Sequence, residues 1–110
     1  MEVKLLLSVI AEDPALITKF VDELRKELSS FCGCVDFAFA NVVCECSGCL
    51  LVMSLEMDKI HRIDLGFGMP RTVTLTITVV GEEIESMMKI LNVVKGISKA
   101  CGVAVRVKAL

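Results

Sequence analysis

The chain has 110 residues, 55% of them hydrophobic, with six cysteines and a formal charge of −2 from 12 basic and 14 acidic side chains. That length holds one domain around one core, and so small a net charge offers no broad field for a phosphate backbone, which argues against nucleic acid as a partner. The longest uncharged apolar run, Leu5 to Ala11, is far short of a membrane-spanning helix.

MEVKLLLSVIA lacks a secretory pattern and is followed by Glu12-Asp13-Pro14 where small residues would mark a cleavage site, so it reads as a first strand of a cytoplasmic protein. In that compartment the six cysteines are expected as free thiols, metal ligands or redox groups. Val3, Leu5, Leu7 and Val9 alternate with Lys4, Leu6, Ser8 and Ile10, the period of two that a strand requires. Asp13 and Pro14 then open a helix, the aspartate as cap and the proline in the first turn. Ile17, Phe20, Val21, Leu24, Leu28 and Phe31 form its apolar stripe, and Gly33 after Cys32 is expected to end it in a left-handed turn.

A second strand is predicted with Val35, Phe37, Phe39 and Val43 on the core face and Asp36, Ala38, Ala40, Val42 and Cys44 on the other. A third alternates Leu51, Met53, Leu55 and Met57 with Leu50, Val52, Ser54 and Glu56. A three-residue turn of Cys46, Ser47 and Gly48 would pair Phe37 with Met57, Phe39 with Leu55 and Val43 with Leu51, keeping apolar residues on one face. Gly66, Gly68 and Pro70 interrupt the pattern after Asp58. Val73, Leu75, Ile77 and Val79 alternate with Thr72, Thr74, Thr76 and Thr78 in a clear strand. Gly81-Glu82-Glu83 begins a second helix, with a stripe of Ile84, Met87, Met88, Leu91, Val94 and Ile97, which Cys101-Gly102 ends. Val103, Val105 and Val107 make a last strand.

Setting Val3 against Val73 aligns Leu5 with Leu75, Val9 with Val79 and Glu12 with Glu82, and a one-residue slip brings Cys32-Gly33 onto Cys101-Gly102. The chain therefore reads as one domain, 1–110, built from repeat halves 3–45 and 71–109 around a hairpin and loop insertion, 46–70. The predicted class is α+β: a ferredoxin-like split βαβ sandwich with two helices on one face of a mainly antiparallel five-stranded sheet. Its uncovered face would present Leu6, Ile10, Ala38, Ala40, Val42, Leu50 and Val52, an apolar surface suited to a second copy or to a subunit of a larger complex, with a small ligand at the interface as an option. The leading reading is thus a non-enzymatic association module.

Cys44, Cys46 and Cys49 carry a competing one. The C-x-x-C spacing across a tight turn suits zinc or an iron-sulfur cluster, or a Cys46–Cys49 redox pair. Cys34 is placed at the far strand end from Cys44, too distant to join a single ion, and Cys32 and Cys101 are expected not to bond. Leu65-Gly66-Phe67-Gly68-Met69 resembles an RNA-binding strand motif, but with Phe37 and Phe39 directed at the core the sheet would lack the aromatics that stack bases. His61 stands near Arg62 and Asp64 with no nucleophile placed by a local motif, which leaves no catalytic set. An acylphosphatase-like activity is set aside because Ala11-Glu12-Asp13-Pro14 is acidic where phosphate would bind. Met53, Met57, Met87 and Met88 read as core filler.

Overall fold

A computed structural model describes residues 2–37, 41–57 and 73–110. The elements run β1 (Val3–Ala11), α1 (Pro14–Leu28), β2 (Cys32–Phe37), β3 (Asn41–Cys46), β4 (Cys49–Met57), β5 (Val73–Gly81), α2 (Ile84–Cys101) and β6 (Ala104–Ala109). The strands form one sheet in the order β2-β3-β4-β5-β1-β6, and every neighbouring pair is antiparallel. Among the described residues the sheet has six strands rather than five, because the predicted second strand is two: β2 and β3 are antiparallel, and Phe37 pairs with Asn41.

Both helices cover one sheet face, and α1 packs on α2 as well as on β1, β2 and β5. Leu7 and Val9, Val73 to Val79 in alternation, Leu51 and Met53 line the covered face, and Phe20, Leu24, Leu28, Ile90 and Val94 close over them. The apolar alternation in β1 and β5 thus does what period two dictates: one set of side chains enters the core and the intervening set faces out.

Asp13 caps α1 as its position suggests. Its backbone is extended and its Oδ1 accepts a hydrogen bond from the Ala15 N–H at 2.9 Å, with Pro14 next in the first turn. Asp13→Ala is expected to lower unfolding stability by about 1 kcal/mol, read from the urea midpoint. A shift no larger than the fitting error would mean that water serves this helix end as well as the carboxylate does.

The end of α1 differs from the prediction. Ser29 and Ser30 turn their hydroxyls back onto the Lys26 and Glu27 carbonyls, at 2.7 and 2.9 Å, and the helix stops there. Gly33 lies within β2, and the described glycines with positive φ are Gly48 and Gly102. Gly102, at φ 71°, does end α2, and the Val103 N–H donates to the Ser98 carbonyl at 3.1 Å. At its other end α2 starts at Ile84, since Gly81 is still paired in the sheet. Its buried stripe is Met87, Ile90, Leu91, Val94, Ser98 and Cys101, while Ile84 and Met88 are exposed, so the true face is rotated from the predicted one.

The β3–β4 turn also departs from the expected register. It has two residues, Ser47 and Gly48, so Cys46 pairs with Cys49, Cys44 with Leu51 and Val43 with Val52. Phe37 pairs with Asn41, and Met57 with Val73. Gly48 takes φ 82°, the left-handed backbone that a two-residue hairpin turn demands. The three-residue alternative rested on Phe37 continuing into the strand that holds Val43. The chain reversal after Phe37 removes that premise.

Candidate functional site

Two disulfides decide which way the outer strands face. Cys32 bonds Cys46 and Cys34 bonds Cys44, with Cα separations of 4.2 and 4.0 Å. Each bridge joins residues directly opposite in the β2–β3 ladder, and the close approach is that of non-hydrogen-bonded pairs. Cys44 and Cys46 are buried and Cys32 and Cys34 pack against the core, so all four sulfurs lie on the helix-covered side. Alternation then puts Gly33, Val35 and Phe37 of β2, with Val43 and Glu45 of β3, on the open face. This reverses the predicted faces: Asp36 is on the helix side, where its carboxylate meets the Arg25 guanidinium at 2.9 Å. Val35 and Phe37, expected in the core, are each 59% exposed.

Of the predicted surface residues, Leu6, Ile10 and Val52 are half-buried on the open face and Leu50 is 41% exposed there. Val42, expected on that face, instead lies in the core at 2% exposure, on the same side as Cys44, because the two are separated by two positions in β3. Ala38 and Ala40, together with Phe39, His61 and the Leu65–Met69 run, fall outside the described residues. The residues missed are Val35 and Phe37. With Val43 and Leu50 they surround a shallow hollow that Gly33 leaves by having no side chain.

The cross-strand register lays this surface out in rows. Val35 is followed across the sheet by Val43, Val52, Thr78, Leu6 and Lys108, so one row runs through all six strands. The neighbouring row reads Gly33, Glu45, Leu50, Val80 and Lys4. Over β2 to β4 the face carries the apolar Val35, Phe37, Val43, Leu50 and Val52 around the exposed Glu45 carboxylate; it is hydroxylated over β5 and basic toward β6, where Arg106 and Lys108 are exposed. Phe37 does offer an outward aromatic ring, contrary to the inward one expected. Its ladder partner is Asn41 and the described charged residue lining the same hollow is Glu45, neither of which attracts a phosphate.

The cysteine set is equally changed by the reversal. Cys34 and Cys44 are brought together rather than held at opposite strand ends, and with Cys32 and Cys46 they are bridged rather than free. Cys44 and Cys46 therefore present no thiolate to zinc or an iron-sulfur cluster while the bridges stand. Among the described residues no three His, Cys, Asp or Glu side chains are grouped to hold a metal. Cys49 is a buried free thiol rather than the partner of Cys46, and Cys101 is a second. Burial first, and the Glu83 carboxylate second, push the Cys49 thiol above its ordinary pKa. Disulfides persist in oxidising compartments, so the two bridges depart from the free thiols expected to follow from a cytoplasmic location. No helix among the described residues is long and apolar enough to cross a membrane.

No protein-family description matches the chain, and no curated protein does. Solved structures of like shape exist. The designed protein Foldit4 matches over 100% of this chain and 97% of its own, with 12% identity and a TM-score of 0.50. An unknown protein from Galdieria sulphuraria matches over 99% of this chain and 50% of its own, at 10% identity and TM-score 0.54. A hydantoinase/carbamoylase family amidase from Burkholderia ambifaria matches over 99% and 28%, at 11% identity and TM-score 0.56. The chain thus spans half the length of the second protein and little more than a quarter of the third. At such identities the likeness is one of fold.

Proposed function

We propose that this protein is an association module that pairs with a second copy of itself through the β2–β4 end of its open sheet face. Its fold is, on this reading, a ferredoxin-like unit of β1, α1, β4, β5, α2 and β6, to which β2 and β3 add an outer hairpin. The register supports the fold reading. β1 and β5 pair symmetrically about Leu7 and Ile77, and α1 and α2 begin at Pro14 and Ile84, so that 77 less 7 and 84 less 14 give the same offset of 70. A duplicated half would produce that coincidence, with β4 as the counterpart of β6 and β2–β3 as the insertion.

One observation carries the functional reading: the cluster of Val35, Phe37, Val43, Leu50 and Val52, with the Glu45 carboxylate beside it, on a face that neither described helix covers. Large apolar side chains are common on surfaces singly, whereas a clustered set around a hollow marks a contact surface. A two-fold arrangement lays the patch of one copy on the same patch of the other, with Phe37 filling the hollow above Gly33. Lys4, Arg106 and Lys108 then stay at the outer margin of the contact, in solvent. The two disulfides fit this role, because they stiffen the hairpin that bears most of the patch and belong to an oxidising environment.

Gly33→Glu tests it. A Cβ at Gly33 meets nothing within 4 Å and its backbone is ordinary strand, so the fold should be kept. The wild-type protein is expected to sediment as a dimer and the variant as a monomer with an unchanged circular dichroism spectrum. A monomeric wild type, or a variant that dimerises as well as the parent, would remove the proposal.

A further inference from the structure

The pairing registers that join β2 to β3 and β3 to β4 put three cysteines in one row. Cys32 lies opposite Cys46, and Cys46 lies opposite Cys49. Cys46 and Cys49 point into the covered side and Cys32 packs against the same core. The outer two therefore flank Cys46 on a line that crosses three adjacent strands. Cys46 is bridged to Cys32, and Cys49 is free.

Thiol–disulfide exchange is a displacement at sulfur. The attacking, central and leaving sulfurs must approach a straight line, and the attacker must be a thiolate. The row of opposed strand positions places Cys49 on the side of Cys46 away from Cys32, the side from which such an attack comes. The close Cα approach of Cys32 to Cys46 marks a non-hydrogen-bonded pair, so the backbone N–H and C=O of Cys46 point the other way, toward Cys49 across the two-residue turn. A hydrogen-bonded pair of this kind holds its Cα atoms at about 5.5 Å, within reach of two inward cysteine side chains.

We propose that Cys49 is the nucleophile of an internal disulfide exchange in which its sulfur bonds to Cys46 Sγ, the Cys32–Cys46 bond breaks, and Cys32 leaves as the new free thiol at the sheet edge. The step balances without an outside oxidant or reductant: one S–S bond forms, one is lost, and the proton released by Cys49 ends on Cys32. Cys34 and Cys44 remain joined throughout, because the next residue in their row is Leu51, which has no sulfur to attack them. That bridge keeps β2 on β3 while Cys32 is released. The exchange converts a thiol 8% exposed into one on a half-buried edge position, where a soft electrophile or the disulfide of another molecule can reach it. Burial and Glu83 keep Cys49 protonated at rest, which makes the conversion slow rather than absent.

The test is alkylation of the native, unreduced protein with N-ethylmaleimide, followed by peptide mapping without reduction. Adduct should accumulate on Cys32 with time while a Cys46–Cys49 bond replaces Cys32–Cys46 and the Cys34–Cys44 bond persists. Cys49→Ser should abolish the Cys32 adduct, with folding checked by circular dichroism, and Cys101→Ser should leave it unchanged. An intact Cys32–Cys46 bond after exhaustive alkylation overturns the proposal in the wild-type protein, whatever the variants do. Equal labelling of Cys34 or Cys44, which signals general scrambling, overturns it too, as does Cys32 labelling that survives in the Cys49→Ser protein. Dimerisation plays no part in any of these readings.

Discussion

Reduction of both disulfides is expected to lower unfolding stability by about 3 kcal/mol and to loosen one end of the sheet ahead of the rest. The Cys32–Cys46 bridge closes a loop with a sequence separation of 14, for which the entropy removed from the unfolded chain is worth about that amount. The Cys34–Cys44 bridge, with a separation of 10, lies inside the first loop, so most of its closure has already been made and the two contributions do not add. The spatial pattern follows from how little else holds β2. It has one strand neighbour, its outward residues Val35 and Phe37 are exposed, and the ion pair from Asp36 to Arg25 is at the surface. Exposed pairs of this sort contribute at most about 1 kcal/mol. Urea midpoints with and without reductant give the overall loss. Hydrogen exchange gives its location: the amides of Gly33, Val35 and Phe37, which alternation turns toward β3, should lose protection in the reduced protein while β1 and β5, paired on both sides, keep theirs. An unchanged midpoint, or a loss of protection spread evenly over the sheet, would show that β2 is held by its packing and not by sulfur.

Much of the fold is legible in the sequence because local and long-range signals agree there. Asp13-Pro14 fixes the start of α1 by capping chemistry. Leu75, Ile77 and Val79 between threonines admit one strand parity, and Gly102 ends α2 in the backbone conformation that only glycine adopts freely. The failures concentrate where two readings have the same period. Residues 35 to 43 alternate equally well with either face inward, and Phe37 to Ala40 contain no turn former, with Asn41 alone beyond them, so a continuous strand and a reversal look alike. The cysteines held the missing information. Cys32 with Cys46 and Cys34 with Cys44 share a midpoint at residue 39, and two C-x-C pairs so arranged fit opposite rungs of one hairpin, with all sulfurs on one side. Reading those spacings as metal-ligand patterns hid the rungs. In α2 the stripe through Ile84 and Met88 competes with one through Ile90, Ser98 and Cys101. Burial of a serine and a cysteine, whose hydroxyl and thiol are satisfied within the helix or are weakly polar, is not something periodicity ranks highly.

The same reversal that inverts β2 explains why the patch and the cysteine row coexist. On a two-sided strand, placing Cys32 and Cys34 inward forces Gly33, Val35 and Phe37 outward, so the covalent anchor and the contact surface are alternate residues of one segment. A swap of parity would bury the phenylalanine and expose the sulfurs. The bridges therefore specify register as well as supply stability, and an exchange at Cys46 alters the anchor without turning the patch over.

The largest single-residue effect is expected at Gly81, where alanine should cost about 3 kcal/mol. A Cβ there would lie 2.5 Å from the Gly48 carbonyl oxygen, 2.6 Å from Cys49 Cβ and 2.9 Å from Cys49 Cα. Two of those atoms are backbone and the third is one bond away from it, so no side-chain rotation relieves the clash. Nor can the backbone yield easily. Gly81 is paired with Val3 on one side and Cys49 on the other, and the turn that presents the Gly48 oxygen is held at φ 82°. Relief requires β4 to separate from β5 at its first rung, which unpairs the row that includes Cys49. Gly96→Ala is the matching comparison: its Cβ would meet nothing within 4 Å, and in a helix interior the exchange should gain about 0.8–1 kcal/mol. Urea denaturation of both variants should thus move the midpoint in opposite directions for the same added methyl. Equal and small shifts would mean that the β4–β5 rung at Cys49 and Gly81 is slack enough to admit a side chain, and the tight junction between turn and strand would have to be abandoned.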